Sequence, residues 1–548
     1  LSRFIASTNN RHTLFMTNRE KWDKTLSYLQ FIGFAIVIAS LPLSNFFMSF
    51  GMFWIVGAWL LQIITDLARK ENLAPRFKRF TANKNALLLT GLYGLPLIGL
   101  LWTTDFKYAF WDLRMKLPIL FMPFVLFTIN PLTARGFRAL LGIFILSLIF
   151  TVLWCLLIYW HINPRPYSDV RDISVFISHI RFSLLIVLGL CIVYYEGWNR
   201  SAGKVLCILL SVCFVYFLLI IGSVTGFIVL AALVFWYLLR KAWKSNGVIK
   251  WASFALLIFL PASCLFYFYH RATHYFAVEK IDWSALEKQT ARGEYYQHNQ
   301  HYPLIEQGHY THTHIAPNEL RMAWSERSSI HPDSNDARGQ ILLGTLIRYM
   351  ASKDLRKDYD GVYQLTNDDI RAIEAGHVDH DEVNMNAIEM RLDDILFEYS
   401  SYRIDGNPSG HSVFQRFEFW KAAWGIIKEH PFAGVGTGDV KEAYALQYEK
   451  MNSKLDKNHR LRGHNQYLTM WVTYGIFGFL FFIIVVFYPL FNGARKDKLF
   501  TAFTIIAAMS FLTEDTLETQ AGVMFFVFFY LFLLLRKKAT PEQPLQAQ

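Results

Sequence analysis

The sequence predicts an all-α polytopic membrane protein with about twelve transmembrane helices and a large, mostly helical domain inserted before the last three. Hydrophobic residues make up 53% of the 548-residue chain and charged residues only 18%. The apolar residues fall into blocks of about 18 or more without charge, the length needed to cross a hydrocarbon core of roughly 30 Å. One long stretch, 270–463, breaks this pattern with dense charge and helix start signals.

In chain order the expected spans are 26–45, 46–65, 85–104, 117–134, 139–160, 182–195, 205–221, 227–239, 251–269, 465–491, 499–513 and 519–535. Several are short and cross only with tilt or with help from neighbours. Lys and Arg cluster in alternate loops, chiefly 1–24, 66–84 and 240–250, which the positive-inside rule assigns to the cytoplasm. The chain then divides into a cytoplasmic tail (1–24), nine spans (25–269), a periplasmic domain (270–463), three spans (464–535) and a second cytoplasmic tail (536–548). The ending "KKATPEQPLQAQ" reads as disordered. Within 270–463, Asn367, Asp368 and Asp369 precede a short amphipathic run through Ile373, and "EMRLDDILFEYSSYR" (389–403) spaces apolar residues by three and four, both helical signals. "YYQHNQHYPLIEQGHYTHTHI" (295–315), aromatic and β-branched around Gly308, reads as a hairpin.

The net charge of +11 does not point to nucleic acid, because the cations sit in short loops between spans. Cys155, Cys191, Cys207, Cys213 and Cys264 all fall within apolar spans, where free thiols behave as small hydrophobes. No secretory signal is read in the polar, basic first 24 residues. "GHYTHTH" (308–314) and "GHVDHDE" (376–382) offer imidazoles and carboxylates but no complete ligand spacing. No metal and no cofactor is expected.

The assigned spans hold almost no ionisable side chains, and the charges gather at their outer ends. Transporters need titratable groups within the membrane, so chemistry at the outer interface is the leading expectation. Four clusters could supply it. In "KYAFWDLRMKLP" (107–118), Lys107, Arg114 and Lys116 either snorkel from an interfacial helix or form a groove wall for an anionic lipid headgroup. In "SHIRFSLL" (178–185), His179 and Arg181 enter an apolar span; the planar fork of an arginine suits phosphate oxygens. In "SVFQRFEFWKAAWGIIKEHPFAGVGTGD" (412–439), a helix presents Arg416 and Trp420 on one face. The "GVGTGD" after it is either a backbone cradle for phosphate or a tight turn back to the membrane. In "RGHNQYLTMWVTYGIFGFLFF" (462–482), His464 and Asn465 open a span behind Lys454, Lys457, Arg460 and Arg462, and Gly475 and Gly478 allow close packing below. Glu514 and Asp515 in "TEDTLETQ" (513–520) either orient the His464 ring, bind acceptor hydroxyls, or form a solvated turn.

His464-Asn465 followed by Gly475 and Gly478, the "RFSLL" element at 181–185 and the 412–439 stretch together resemble the bacterial O-antigen ligase, O-antigen polymerase and O-oligosaccharyltransferase superfamily. The long insertion resembles those of its Bacteroidetes-type members. An arginine that such proteins often carry near the outer end of the span pair at 205–239 is missing from "GSVTGF" (222–227). The resemblance implies an enzyme of the bacterial inner membrane with its site facing the periplasm. Its donor is a glycan on undecaprenyl diphosphate; its acceptor is lipid A–core, a growing glycan or a periplasmic protein, with lipid A–core leading. A lipid-linked glycan flippase is the rival. Under the resemblance His464 is the base, since imidazoles titrate near neutrality, and Arg181 and Arg416 stabilise the leaving diphosphate without a metal, with inversion at the anomeric carbon. Lys107, Arg114, Lys116, His179, Trp420, Asn465, Glu514 and Asp515 then line the substrate site.

Overall fold

The computed structural model describes residues 18–536 apart from 164, 166, 168, 198–202, 279, 383 and 384. The ending at 537–548 and most of the 1–24 tail lie outside the described residues. The described chain is mostly helical, and each expected span coincides with a helix or a run of short helical segments. Eight are long and apolar enough to cross a membrane: Asn45–Ala68, Lys84–Trp102, Ala134–Tyr159, His179–Gly197, Gly203–Ile221, Val224–Lys244, Gly247–Tyr275 and Gln466–Phe491. Lys498–Thr513 and Gln520–Arg536 are apolar but shorter. Asn18–Ser40 and Phe106–Thr128 carry charges that dilute their apolar character. The chain is a multi-pass membrane protein.

Two helices show the extremes of packing. Gln520–Arg536 is apolar on every face and is buried from Ala521 to Leu533, as a helix without a polar stripe must be. Its Phe532 stacks on Phe137 and its Phe526 on Phe503. Gly247–Tyr275 is also largely apolar, yet only 6% of its apolar window is buried against protein. In a membrane protein such a surface faces lipid.

Two helices run past the expected spans 46–65 and 117–134 and bury charge in the added turns. Asp66 is buried in Asn45–Ala68 and pairs with Arg76 at 2.7 Å. Asp112 and Lys116 are buried in Phe106–Thr128, which starts at an Asp105 cap well before the expected residue 117. Asp105 accepts from the Tyr108 amide at 3.0 Å, and that N-cap lets the helix start in a charged stretch.

The 270–463 segment has its own core, in which Trp324 is fully buried with Leu320, Leu346, Met350 and Ile373. Thr366, one residue before the expected signal, caps Asn367–Glu374 in a capping box with Asp369. Ala387–Asp405 ends on Gly406 at φ 66°. The hairpin is present but small: Ile305–Glu306 pairs antiparallel with His309–Tyr310. Gln307 and Gly308 turn it with φ of 45° and 85°, the conformation of a tight two-residue loop. Arg271, just past the expected end of the ninth span, pairs with Asp393 at 2.6 Å and ties Gly247–Tyr275 to Ala387–Asp405.

The helix Gln466–Phe491 breaks at Gly475, whose φ of 66° and ψ of −170° are non-helical. The segment after Ser412–Glu429 fills the break. Val435 and Gly436 donate to the carbonyls of Val472 and Thr473 at 2.9 and 3.0 Å, and Ile476 donates to Pro431 at 2.9 Å. A Cβ on Gly475 would lie 1.9 Å from the Phe432 carbonyl oxygen. This glycine therefore serves backbone insertion rather than helix–helix packing.

Candidate functional site

Asn465 starts the helix by accepting from the Leu468 amide at 3.1 Å. The preceding residue, His464, sits at φ 42°, a left-handed conformation costly for a residue with a Cβ. Several contacts fix it there. Asp515 accepts from the amides of His464 and Asn465 at 3.0 and 3.1 Å, and from the Thr469 hydroxyl at 2.6 Å. Trp420 donates from Nε1 to the Gly463 carbonyl at 3.0 Å. Phe419 stacks on the imidazole with centroids 5.5 Å apart. Of the two carboxylates read as orienting the ring, binding acceptor hydroxyls or forming a solvated turn, Asp515 holds the backbone and Glu514 faces the ring.

Glu514 Oε2 lies 3.6 Å from His464 Nδ1, an electrostatic contact rather than a formed hydrogen bond. Its other oxygen accepts from Arg416 Nη2 at 3.1 Å. Burial pushes the Glu514 carboxyl up, but attraction from His464 and Arg416 outweighs it and leaves it below the usual carboxylate range. Asp515 is held above that range by burial, which outweighs Arg462, Thr469 and His464.

His464 opens into a cleft of about 380 Å³. Arg181, Arg460, Arg462 and Lys441 supply its cations, Glu514, Asp515 and Glu518 its anions, and Tyr108 and Tyr444 its aromatic walls. Arg460 is committed to Glu449, and Arg462 to Glu518 at 3.1 Å. Arg181 makes no hydrogen bond to the described residues. It also borders a narrow apolar crevice formed with Leu184, Leu185 and Phe525, so it stands where a polar cleft meets membrane-like surroundings. Arg416 carries a buried Nε without a partner, which leaves it donor capacity beyond Glu514.

Beneath the cleft lies a buried ion network that the sequence reading missed. Lys116 Nζ donates to Asp112 at 2.9 Å and to Glu518 at 3.0 Å. Glu518 also accepts from Arg462 and from Gln466 at 3.2 Å. Burial acts to raise the Glu518 carboxyl, yet Lys116 and Arg462 hold it well below the carboxylate range. Lys116 is therefore neither a snorkelling cation nor a headgroup ligand. Helical phase explains the split: residues 107 and 114 are seven apart and share a face, whereas 116 lies nine beyond 107, about half a turn away. Lys107 and Arg114 are exposed and do not line the cleft.

The remaining candidates lie outside the cleft. His179 is near Arg171 and Asp169, and Trp420 acts through Gly463. The phosphate-cradle reading of "GVGTGD" is also corrected. The amides of Val435 and Gly436 are taken by Gln466–Phe491, Thr437 donates to Gly99 and Gly438 to Thr103. Asp439 accepts from Thr104 and Asp105. The stretch is a docking turn. Glu518 lies in the quoted "TEDTLETQ" and Arg462 among the quoted cations; their mutual contact across 56 positions has no signal in a single sequence.

Residues 380–483 match the family described as O-antigen ligase. The match contains Arg416, Trp420, His464, Asn465 and both Gly475 and Gly478, and stops short of Glu514. An uncharacterized protein of Haemophilus influenzae is 32% identical over 107 residues, 19% of this chain and 26% of that protein. The chain thus spans about a quarter of the relative's length.

Proposed function

From the O-antigen ligase superfamily membership that residues 380–483 support, we propose that the chain is a membrane glycosyltransferase moving a glycan from undecaprenyl diphosphate to an acceptor hydroxyl, with lipid A–core as the acceptor. The observation that carries this reading is the His464 imidazole at the wall of a cationic cleft, backed by Glu514 at 3.6 Å. The cleft faces the periplasm of the inner membrane, with 270–463 as the periplasmic domain and both termini cytoplasmic.

The acceptor oxygen attacks the anomeric carbon while the bond from that carbon to the diphosphate breaks. The acceptor proton passes to His464, and undecaprenyl diphosphate leaves with the bonding pair. Attack from the face opposite the leaving group inverts the anomeric centre. Glu514 stabilises the imidazolium as it forms, the role of a carboxylate beside a histidine base. Arg181, which lines the cleft, meets the charge growing on the diphosphate, with Arg416 paired to Glu514 beside it, as preorganised cations do in place of a metal. Arg181 suits the junction of lipid and headgroup, since it borders both the cleft and the apolar crevice.

The test supplies purified protein in liposomes with lipid-linked glycan and, separately, lipid A–core, free glycan or a periplasmic protein. Modification of lipid A–core alone is expected, and its loss in His464→Ala and Arg181→Ala while both variants still insert. Glycan extension or protein modification would replace ligation by polymerisation or protein glycosylation. Unchanged transfer by His464→Ala overturns the mechanism.

A further inference from the structure

A second polar cavity lies at the far end of the helix that His464 precedes. Asn492 follows the last turn of Gln466–Phe491, whose 26 residues put about 39 Å of helix between the two places. There Asn83, Lys84 and Asn85, at the start of Lys84–Leu92, meet Asn492 and Leu534 around a cavity of about 320 Å³. The proposed reaction uses none of these residues, and none lines the His464 cleft.

The lining is a set of donors. Asn83 Oδ1 accepts from the Ala86 amide at 3.1 Å, which leaves the Asn83 NH₂ unused. The side chains of Lys84 and Asn492 make no hydrogen bond or ion pair to the described residues, and no described carboxylate borders the cavity. Arg495 and Lys496 follow Ala494 at its rim, both exposed. Ammonium and amide donors without an acid call for an anionic oxygen. A second observation adds a different demand. Asn85 is only 7% exposed, and its Oδ1 is buried without a hydrogen-bond partner, a costly state for an amide carbonyl. It calls for a hydroxyl that donates. The surroundings decide between a free anion and a lipid. Leu534 lines the cavity. Leu87, one turn into the helix from Lys84, is 41% exposed, and Phe491, beside Asn492, is 86% exposed. Apolar surface therefore continues from the cavity along the spans, where acyl chains run.

We propose that this cavity holds the headgroup of one anionic phospholipid of the phosphatidylglycerol type. Its phosphate meets Lys84, Asn83 and Asn492, a glycerol hydroxyl donates to Asn85 Oδ1, and its chains lie along Leu87 and Phe491. Lys84–Leu92 and Gln466–Phe491 already pack closely, since a Cβ on Gly91 would stand 3.2 Å from the Phe481 ring. The lipid joins the start of one helix to the end of the other, so it stabilises the folded bundle by binding it. The site is separate from glycosyl transfer.

The experiment takes the full chain in detergent, depleted of lipid, and adds dioleoylphosphatidylglycerol, dioleoylphosphatidylcholine or inorganic phosphate. Mass spectrometry of the intact complex reads binding, and thermal unfolding is followed in parallel. One phosphatidylglycerol is expected to bind about tenfold more tightly than phosphatidylcholine, the scale set by one or two cations at a headgroup, and to raise the melting temperature. Lys84→Gln and Asn492→Ala, both at exposed positions, should each remove most of that preference. Asn85→Ala deletes an amide that has no partner, so it should fold normally and weaken phosphatidylglycerol binding. Lys244→Gln, an exposed lysine outside the cavity, should keep the preference. Equal binding of the two lipids overturns the proposal. So does a preference that survives Lys84→Gln combined with Asn492→Ala, which places the lipid elsewhere. The same stabilisation by inorganic phosphate makes the cavity a site for a free anion and overturns the lipid assignment.

Discussion

Asp515→Asn should cripple transfer while leaving the bundle folded. Asp515 accepts three hydrogen bonds: Oδ2 takes the His464 amide, and Oδ1 takes the Asn465 amide and the Thr469 hydroxyl. An asparagine must place its NH₂ at one of these two positions. At the Oδ2 position it faces the His464 amide, donor against donor. At the Oδ1 position it faces the Asn465 amide, although the Thr469 hydroxyl can turn to accept. Either choice leaves one backbone N–H unsatisfied, a cost of about 1–3 kcal/mol. The surviving bonds also lose the charge assistance that made them roughly twice as strong as neutral ones. The local loss comes to about 3 kcal/mol, and it falls on a residue already held at φ 42°. His464 then relaxes from that conformation and its ring leaves the contact with Glu514. A displacement of about 1 Å costs roughly 10²-fold in rate, and about 3 kcal/mol corresponds to a similar factor. Transfer from lipid-linked glycan in liposomes should therefore fall about 100-fold, while thermal unfolding moves by only a few degrees. A folded Asp515→Asn protein with the rate of the unaltered chain would refute the claim that Asp515 sets the position of His464.

Three further outcomes follow from the same geometry. Lys116→Met strands Asp112 and Glu518 without their shared cation, so stability in detergent should drop by about 3–5 kcal/mol, and adding Asp112→Asn should restore part of it; a neutral Lys116→Met would dissolve the network. Gly475→Ala drives a Cβ to 1.9 Å from the Phe432 carbonyl oxygen at a positive φ and should prevent accumulation of folded protein, whereas Gly57→Ala, with nothing within 4 Å, should accumulate normally. The Glu514 carboxyl is held below its ordinary 4.5 in the folded state, so its stabilising effect is complete above that pH and is lost as pH falls through the lowered value; the melting-temperature gap between the unaltered chain and Glu514→Gln should hold from pH 7 to about 4.5 and shrink below, and a gap unchanged at lower pH counts against the ion pair.

Much of the fold is legible because hydrophobic blocks report burial directly. Every expected span has a helical counterpart, and Ala387–Asp405 and Asn367–Glu374 appear where periodicity and caps place them. The helices outrun the expected spans where a charged residue is buried by pairing with another. Asp66 with Arg76, and Asp112 with Lys116, make their helices look less apolar than membrane segments ought to be. Composition takes each charge alone, whereas the membrane interior sees the neutralised pair. This also weakens an argument against a flippase that rests on uncharged spans. What separates the two readings is how the charges are used, since Lys116 is saturated by Asp112 and Glu518 rather than free to meet cargo.

The site was legible in its parts but not in its division of labour. His464, Asn465, Glu514 and Asp515 stand out because polar residues at the mouth of an apolar helix need a reason. Their neighbours in sequence do not show that one carboxylate grips the backbone and the other faces the ring, because that depends on a turn at 514–519 whose geometry a single sequence does not encode. The run Lys107, Arg114 and Lys116 shows the same limit from the other side. Read as a cluster it looks like one cationic patch; wound on a helix, it sends two side chains outward and one inward. The inward lysine secures Glu518, Glu518 secures Arg462, and Arg462 lines the cleft with His464. Arg462, one of the cations of the cleft, is thus held by a chain of contacts that begins on Phe106–Thr128, far from it in sequence.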